Sequence, residues 1–258
     1  MTAPPYPAGR ELLAGKSVVV TAAAGTGIGS AVARRCLEEG ARVLLSDHHE
    51  RRLTETVAKL SAEHGDRVSA QVCDVTDEAA VQALVATAVA RHGRLDVMVN
   101  NAGLGGTSSV LDMSDEEWAR VLDVTLNGTF RCTRAALRQM VPQRSGVVVN
   151  NASVIGWRAQ AGQAHYAAAK AGVMAFTRCA ALDVAPYGIR VNAVAPSLAM
   201  HPFLAKTTTP ELLETLATRE AFGRAAEPWE VANVMVFLAS DYSTYLTGEC
   251  ISVSSQHP

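Results

Sequence analysis

The chain has no surplus of positive charge: 23 Lys and Arg stand against 25 Asp and Glu, a formal net charge of −2. A protein that holds nucleic acid through bulk electrostatics needs a basic excess, so no nucleic-acid partner is expected. Aromatic residues make up only 5% of the chain. Its five cysteines (Cys36, Cys73, Cys132, Cys179, Cys250) are scattered, odd in number and never spaced CxxC. That spacing excludes a disulfide framework and a structural zinc site, predicts no metal, and fits a reducing compartment, the cytoplasm. No stretch approaches the roughly 20 apolar residues of a membrane span, so no membrane partner is expected. The opening MTAPPYPAGRELLAGK carries prolines and charge where a secretory signal has an apolar run. Residues 1–14 are read as a flexible lead-in and 15–258 as one domain, a length with ample volume for a buried core.

What the chain does have is small apolar residues in two alternating patterns, within a composition that is 48% hydrophobic. Short β-branched runs fall at 17–21, 42–46, 68–72, 95–99, 146–150, 190–194 and 250–253. Most are apolar throughout (KSVVVT, ARVLLS, LDVMVN), which predicts burial on both faces, as in parallel strands between helices. Helical periodicity occupies 28–39, 50–63, 77–91, 114–140, 165–185, 210–219 and 228–239. Thr76-Asp77-Glu78 and Ser114-Asp115-Glu116-Glu117 read as helix starts, with acids in the positive first turn. The β-α-β-α order predicts an α/β fold: a Rossmann-type, doubly wound parallel sheet of about seven strands with helices on both faces.

Three places carry chemistry. The first strand runs through Ala22-Ala23-Ala24 into Gly25, Thr26, Gly27, Ile28 and Gly29 and then a helix. Glycines there let backbone approach a pyrophosphate, which the helix N-terminus attracts. Asp47 ends the second strand, where an acid accepts from the ribose hydroxyls of an adenosine. It would repel a 2′-phosphate, which favours NAD over NADP, although Arg51 and Arg52 follow closely. Tyr166 and Lys170, four apart, share one helix face. A nearby ammonium is expected to lower the phenol pKa from about 10 and so fit it for proton exchange with a carbinol or carbonyl oxygen. Ser153, at the end of the fifth strand, is placed to hold that same oxygen. His165, beside Tyr166, is read as a surface or packing histidine, because no nucleophile elbow accompanies it.

Taken in order, AAAGTGIG, NNAG, Ser153 with YAAAK, RVNAVAPS and FLASDYSTYLTG resemble the motifs of the short-chain dehydrogenases/reductases from Gly15 to Val253. The resemblance implies Ser153, Tyr166 and Lys170 as the catalytic trio, with Tyr166 and Lys170 also meeting the cofactor. It places Asp74, Val75, Asn101, Ala102 and Gly103 along the cofactor, and Pro196 and Leu198 at its nicotinamide end. It also implies a homotetramer. Residues 198–224 would form a substrate lid, with Trp157, Arg158, Phe203 and Phe222 as candidate linings.

Departures from the family pattern are informative. Ala23 stands at the loop's first glycine. Thr125 stands where an asparagine serves a water-linked proton relay, and enters the catalytic candidates on that ground. Ser197 follows Pro196 in place of glycine, His201 takes a threonine's place, and the chain ends VSSQHP. TAAAGTGIG, SDHHERRL and that ending are similar to an actinobacterial subgroup of the family linked to sterol-ring breakdown through bicyclic acyl-CoA intermediates. The expected activity is NAD-dependent interconversion of a secondary alcohol and a ketone, on a small-molecule or acyl-CoA substrate. The alternatives are a 3-oxoacyl-thioester reductase using NADPH, and a non-catalytic nucleotide-binding sensor; a Rossmann-like methyltransferase is disfavoured by Ser153 with YAAAK.

Overall fold

The computed structural model describes residues 3–200 and 210–255. Seven strands form one parallel sheet in the order β3-β2-β1-β4-β5-β6-β7. They are β1 (Ser17–Val20), β2 (Arg42–Asp47), β3 (Val68–Val72), β4 (Val97–Asn100), β5 (Gly146–Asn151), β6 (Ile189–Pro196) and β7 (Cys250–Val253). The chain leaves β1 toward one edge, returns, and continues from β4 toward the other. The order therefore reverses between β1 and β4, and a crevice opens there at the strands' C-terminal ends.

The unbroken apolar strands now have their reason. In β1, Val18 and Val20 join the core under α1 (Ile28–Glu38), α2 (Glu50–His64) and α8 (Pro228–Ala239), while Val19 joins the core on the opposite face. That second layer is built from α3 (Glu78–His92), α5 (Gly128–Gln143) and α6 (Ala164–Val184). Successive side chains point to opposite faces, so a strand covered on both sides must be apolar at every position. The remaining helices are α4 (Asp115–Leu122) and α7 (Pro210–Arg219). Both expected helix starts are capped: Asp77 accepts from Ala79 and Ala80 N–H, and Ser114 and Glu117 form a reciprocal capping box.

The single helix expected over 114–140 is two. Between α4 and α5, residues Asp123–Asn127 widen into a π-helical turn, where the Gly128 N–H reaches back to Asp123 O. Such turns insert a residue and redirect a side chain, often at functional sites. Periodicity alone does not show them, because the apolar stripe continues on either side.

The lead-in residues make specific contacts. Buried Glu39 accepts from the backbone N–H groups of Arg10 and Leu12, and pairs with buried Arg35 at 2.7 Å. Tyr6 donates to Glu38 and lies edge-on to Trp229, and Leu13 is fully buried. These contacts fasten the segment across α1 and α8.

Candidate active site

At the crevice, Ala22 through Gly29 connect β1 to α1. Gly27 caps the helix with extended backbone and no side-chain hydrogen bond, which leaves the first N–H groups of α1 for an outside anion. Gly29 is obligatory: a Cβ there would collide with Ala22 O and Asn101 Nδ2. Ala23, which stands at the family's first loop glycine, is buried and its N–H donates to Ser46 O at 2.9 Å; the left-handed residues are Ala22 (φ 49°) and Gly25 (φ 89°). Thr26, exposed with Gly25, forms the outer lip, and Ile28 begins the helix. The Gly25 N–H is tied to Thr56 Oγ1 of α2 at 3.0 Å.

Asp47 stands at the end of β2, 6% exposed, and accepts from Ala24 N–H at 3.2 Å and His49 N–H at 2.9 Å. Burial pushes its carboxyl above the usual range, opposed by the Ala24 and His48 N–H groups and the Arg52 guanidinium. Each oxygen keeps a lone pair, so the carboxylate fits a ribose diol. Arg51 pairs instead with Glu55 at the surface. Just beyond β3, Asp74 is exposed, and Thr76 N–H and Oγ1 hold its carboxyl below the usual range. Val75 is buried against Gly128. The loop, the free helix terminus and Asp47 are the groups that could hold a dinucleotide's pyrophosphate and adenosine ribose.

Asn101, Ala102 and Gly103 leave β4 beneath this loop. The Asn101 side chain is occupied: its Nδ2 donates to Thr21 O and Ala22 O, and its Oδ1 accepts from Asn151 Nδ2. Thr21 Oγ1 accepts from the N–H groups of Asn101 and Ala102, at 3.0 Å each. Gly103 is open because a Cβ would press on Lys170 Nζ at 3.3 Å.

At the reaction end, α6 projects Tyr166 and Lys170 toward Ser153, which follows β5. Ser153 is 8% exposed, and its hydroxyl faces the Tyr166 phenol closely enough to oppose the rise in that group's pKa. Lys170 is 3% exposed; its Nζ donates to Asn151 O at 2.6 Å and lies 5.5 Å from the Tyr166 ring centre. One expectation is reversed here. Burial holds the Tyr166 phenol above its usual value, with Ser153 opposing, and pushes Lys170 down to about 8. Both groups are starved of solvent, and desolvation of each outweighs the help that an ammonium gives a phenolate.

Thr125 lies in the π-helical turn, fully buried. Its hydroxyl accepts from Leu104 N–H at 3.0 Å and donates to Leu104 O at 3.2 Å. That donation uses its one proton, so the hydroxyl holds the segment beside Gly103 in place. Gln163 fastens the next stretch, donating to Gly106 O at 2.7 Å. Buried His165 accepts the Tyr166 N–H through Nδ1.

Pro196 ends β6 opposite Val253, and Leu198 O accepts from Ala226 N–H while Met200 N–H donates back to Ala226 O. Trp157 and Phe222 are exposed near this rim. His201, Phe203 and the final Gln256-His257-Pro258 lie outside the described residues. Sequence reasoning missed Thr21, Leu104 and Asn151, which act through backbone or through other side chains. A signal existed for one of them: two consecutive asparagines closing an apolar strand need polar partners.

Lys170 carries a stability consequence with a definite sign. Its pKa falls from about 10.4 when unfolded to about 8 when folded, so the unfolded chain binds more protons between those values. Stability therefore rises with pH across that window, and below pH 8 the whole penalty, on the order of 3 kcal/mol, is present. Lys170→Met is expected to raise the melting temperature of the ligand-free protein at pH 7, less so at pH 10, while abolishing turnover. A lowered melting temperature at pH 7 would contradict this account.

A family model described as enoyl-(acyl carrier protein) reductase matches residues 22–255. The chain is 66% identical over 257 residues (99% of this chain, 98% of the relative) to (5R,7aS)-5-hydroxy-7a-methyl-1-oxo-2,3,5,6,7,7a-hexahydro-1H-indene-carboxyl-CoA reductase of Mycobacterium tuberculosis. It is 42% identical over 244 residues (94% and 96%) to cis-4-hydroxycyclohexanecarboxylate dehydrogenase of Sinomonas cyclohexanicum. A solved short chain dehydrogenase from Mycobacterium smegmatis superposes with a TM-score of 0.89 at 57% identity, covering 100% of this chain and 99% of that one. Similarity of this extent makes the chain a member of the short-chain dehydrogenase/reductase family, oxidoreductases that act on hydroxyl and oxo groups with NAD(P).

Proposed function

We propose that this protein is an NAD-linked oxidoreductase that interconverts a secondary alcohol and a ketone on a bicyclic, steroid-derived acyl-CoA. The observation that carries the chemistry is the gathering of Ser153, Tyr166 and Lys170 at one place, with Lys170 buried and its Nζ held at Asn151 O. The substrate class rests on the 66% identity to a reductase named for a hydroxy, oxo-bearing indene-carboxyl-CoA.

Bound NAD supplies the acceptor or donor of a hydride. Everything else falls to the chain. The loop from Ala22 to Gly29 and the α1 terminus take the pyrophosphate, and Asp47 takes the adenosine ribose. Ser153 Oγ holds the reacting oxygen. Tyr166 Oη takes the carbinol proton during oxidation and returns one to the carbonyl oxygen during reduction. Lys170, held at Asn151 O, favours the phenolate and meets the nicotinamide ribose; Pro196 and Leu198 border the nicotinamide. Thr125 acts as a support of the segment beside Gly103. Of the substrate lid proposed over 198–224, residues 201–209 lie outside the described residues. The scattered free thiols agree with a cytoplasmic setting.

Tyr166→Phe tests the proton step: turnover is expected to fall by about 10² to 10⁴-fold, with NADH affinity within about twofold of the parent by fluorescence titration. Near-normal kcat in this variant would remove Tyr166 from the chemistry. For the cofactor, Asp47 meets a 2′-phosphate with like charge, so NAD is expected to bind more tightly than NADP when both are titrated side by side. Equal or tighter NADP binding would instead favour the reading in which Arg52, close enough to Asp47 to act on its carboxyl, receives the phosphate. The assembly is proposed to be a homotetramer, with Trp118, Phe130 and Leu182 of α4, α5 and α6 as apolar side chains left exposed on one chain. Sedimentation at micromolar concentration is expected to give four times the 27.2 kDa chain mass; a stable monomer would contradict it.

A further inference from the structure

Asn150 and Asn151 close β5 and project to opposite faces of the sheet. Asn150 belongs to a fully buried chain: Asn100 Nδ2 donates to Asn150 Oδ1 and Thr133 Oγ1, and Asn150 Nδ2 donates to Thr177 Oγ1. Asn151 faces the phosphate loop. Its Nδ2 donates to Asn101 Oδ1 at 3.0 Å, while its own Oδ1 is buried with no partner among the described residues. A buried acceptor left bare is costly to keep. The side chain is therefore held there for what its donor does.

What the donor does is settle the amide of Asn101. An asparagine amide has one accepting and one donating end, and its neighbours decide which way round it sits. With Asn151 Nδ2 on its Oδ1, Asn101 must present Nδ2 to the loop, where it meets Thr21 O at 3.2 Å and Ala22 O at 3.1 Å. Ala22 is the loop's non-glycine left-handed residue, at φ 49°, a conformation its Cβ disfavours. Such a residue persists only where its surroundings over-determine it. The surroundings here are Gly29, packed against both Ala22 O and Asn101 Nδ2, and the Asn101 amide itself. The Asn151 backbone oxygen meanwhile holds Lys170 Nζ. One residue thus borders both the nucleotide loop and the catalytic lysine.

We infer that Asn151 is a positioning residue for cofactor binding: it fixes the amide orientation of Asn101 and, through it, the strained phosphate-binding loop. The inference rests on the proposed reading of that loop as the dinucleotide site.

The test is NADH titration by fluorescence at pH 8, on the whole protein carrying Asn151→Leu or Asn151→Asp. Leucine removes the donor and leaves the Asn101 amide held by Thr21 O and Ala22 O alone, so Kd is expected to rise about fivefold. Aspartate keeps the shape of asparagine but offers only acceptors. It sets an acceptor against Asn101 Oδ1, and turning that amide over sets Oδ1 against Thr21 O and Ala22 O instead, so a rise in Kd of tenfold or more is expected. Both losses should fall mainly on Kd rather than on kcat at saturating NADH. The opposite order, with near-isosteric Asp tolerated and Leu not, is the mark of a mere packing position and overturns the inference. Should Asn151→Asp fold poorly, the comparison moves to an Asn101→Ala background, read by NADH affinity and by melting temperature. There the difference between Asn and Asp at 151 is expected to vanish; an undiminished difference overturns the inference as well. A parent protein that binds no NADH would overturn the dinucleotide reading itself and this inference with it, an outcome distinct from a wrong order among the variants.

Discussion

A buried ammonium donating to a backbone oxygen organises this crevice. Lys170 Nζ sits 2.6 Å from Asn151 O with no salt bridge formed to it among the described residues, and burial alone drives its pKa down to about 8. An ammonium so placed has to be enclosed closely and by the right groups, and the surrounding chain shows the consequences. Gly103 has no side chain because Lys170 occupies that space. Thr125 sits in a π-helical turn, where its hydroxyl grips Leu104 at both N–H and O. The polar residues at the ends of β4 and β5 lie directly below.

This arrangement is poor for stability and suited to chemistry. A phenol held above its usual pKa and a lysine held below it both resist charge in the ligand-free crevice. Any added charge that stabilises the phenolate then acts in a site where water screens little, and its effect is large. The nucleotide end follows similar logic. A left-handed alanine and an uncapped helix terminus are kept under tension by hydrogen bonds from neighbouring strands, which leaves N–H groups pointing where a pyrophosphate would lie.

Much of this is legible in the sequence, for identifiable reasons. Strands buried on both faces must be apolar throughout, so KSVVVT and LDVMVN mark the sheet by composition alone. Ser153, Tyr166 and Lys170 are readable because side-chain chemistry at fixed spacing leaves a mark. The π-helical turn is not, since a widened turn preserves the apolar stripe on both sides. Nor is the left-handed Ala22, because the identity of a residue does not report its φ. The direction of the Tyr166 shift is also hidden: spacing shows that a lysine is near, but desolvation depends on what covers the pair. Asn151 escapes because its part is played through Asn101 and through its own backbone oxygen.

The central claim is that this crevice moves a hydride directly between nicotinamide and the carbon whose oxygen Ser153 and Tyr166 hold. The most direct measurement follows the label from NADH carrying deuterium at the transferable C4 position during reduction of a bicyclic keto acyl-CoA, with the product read by mass spectrometry. The account predicts one deuterium on the carbinol carbon, retained in full when the reaction is run in ordinary water. A product without deuterium at that carbon, formed at the normal rate, would contradict it.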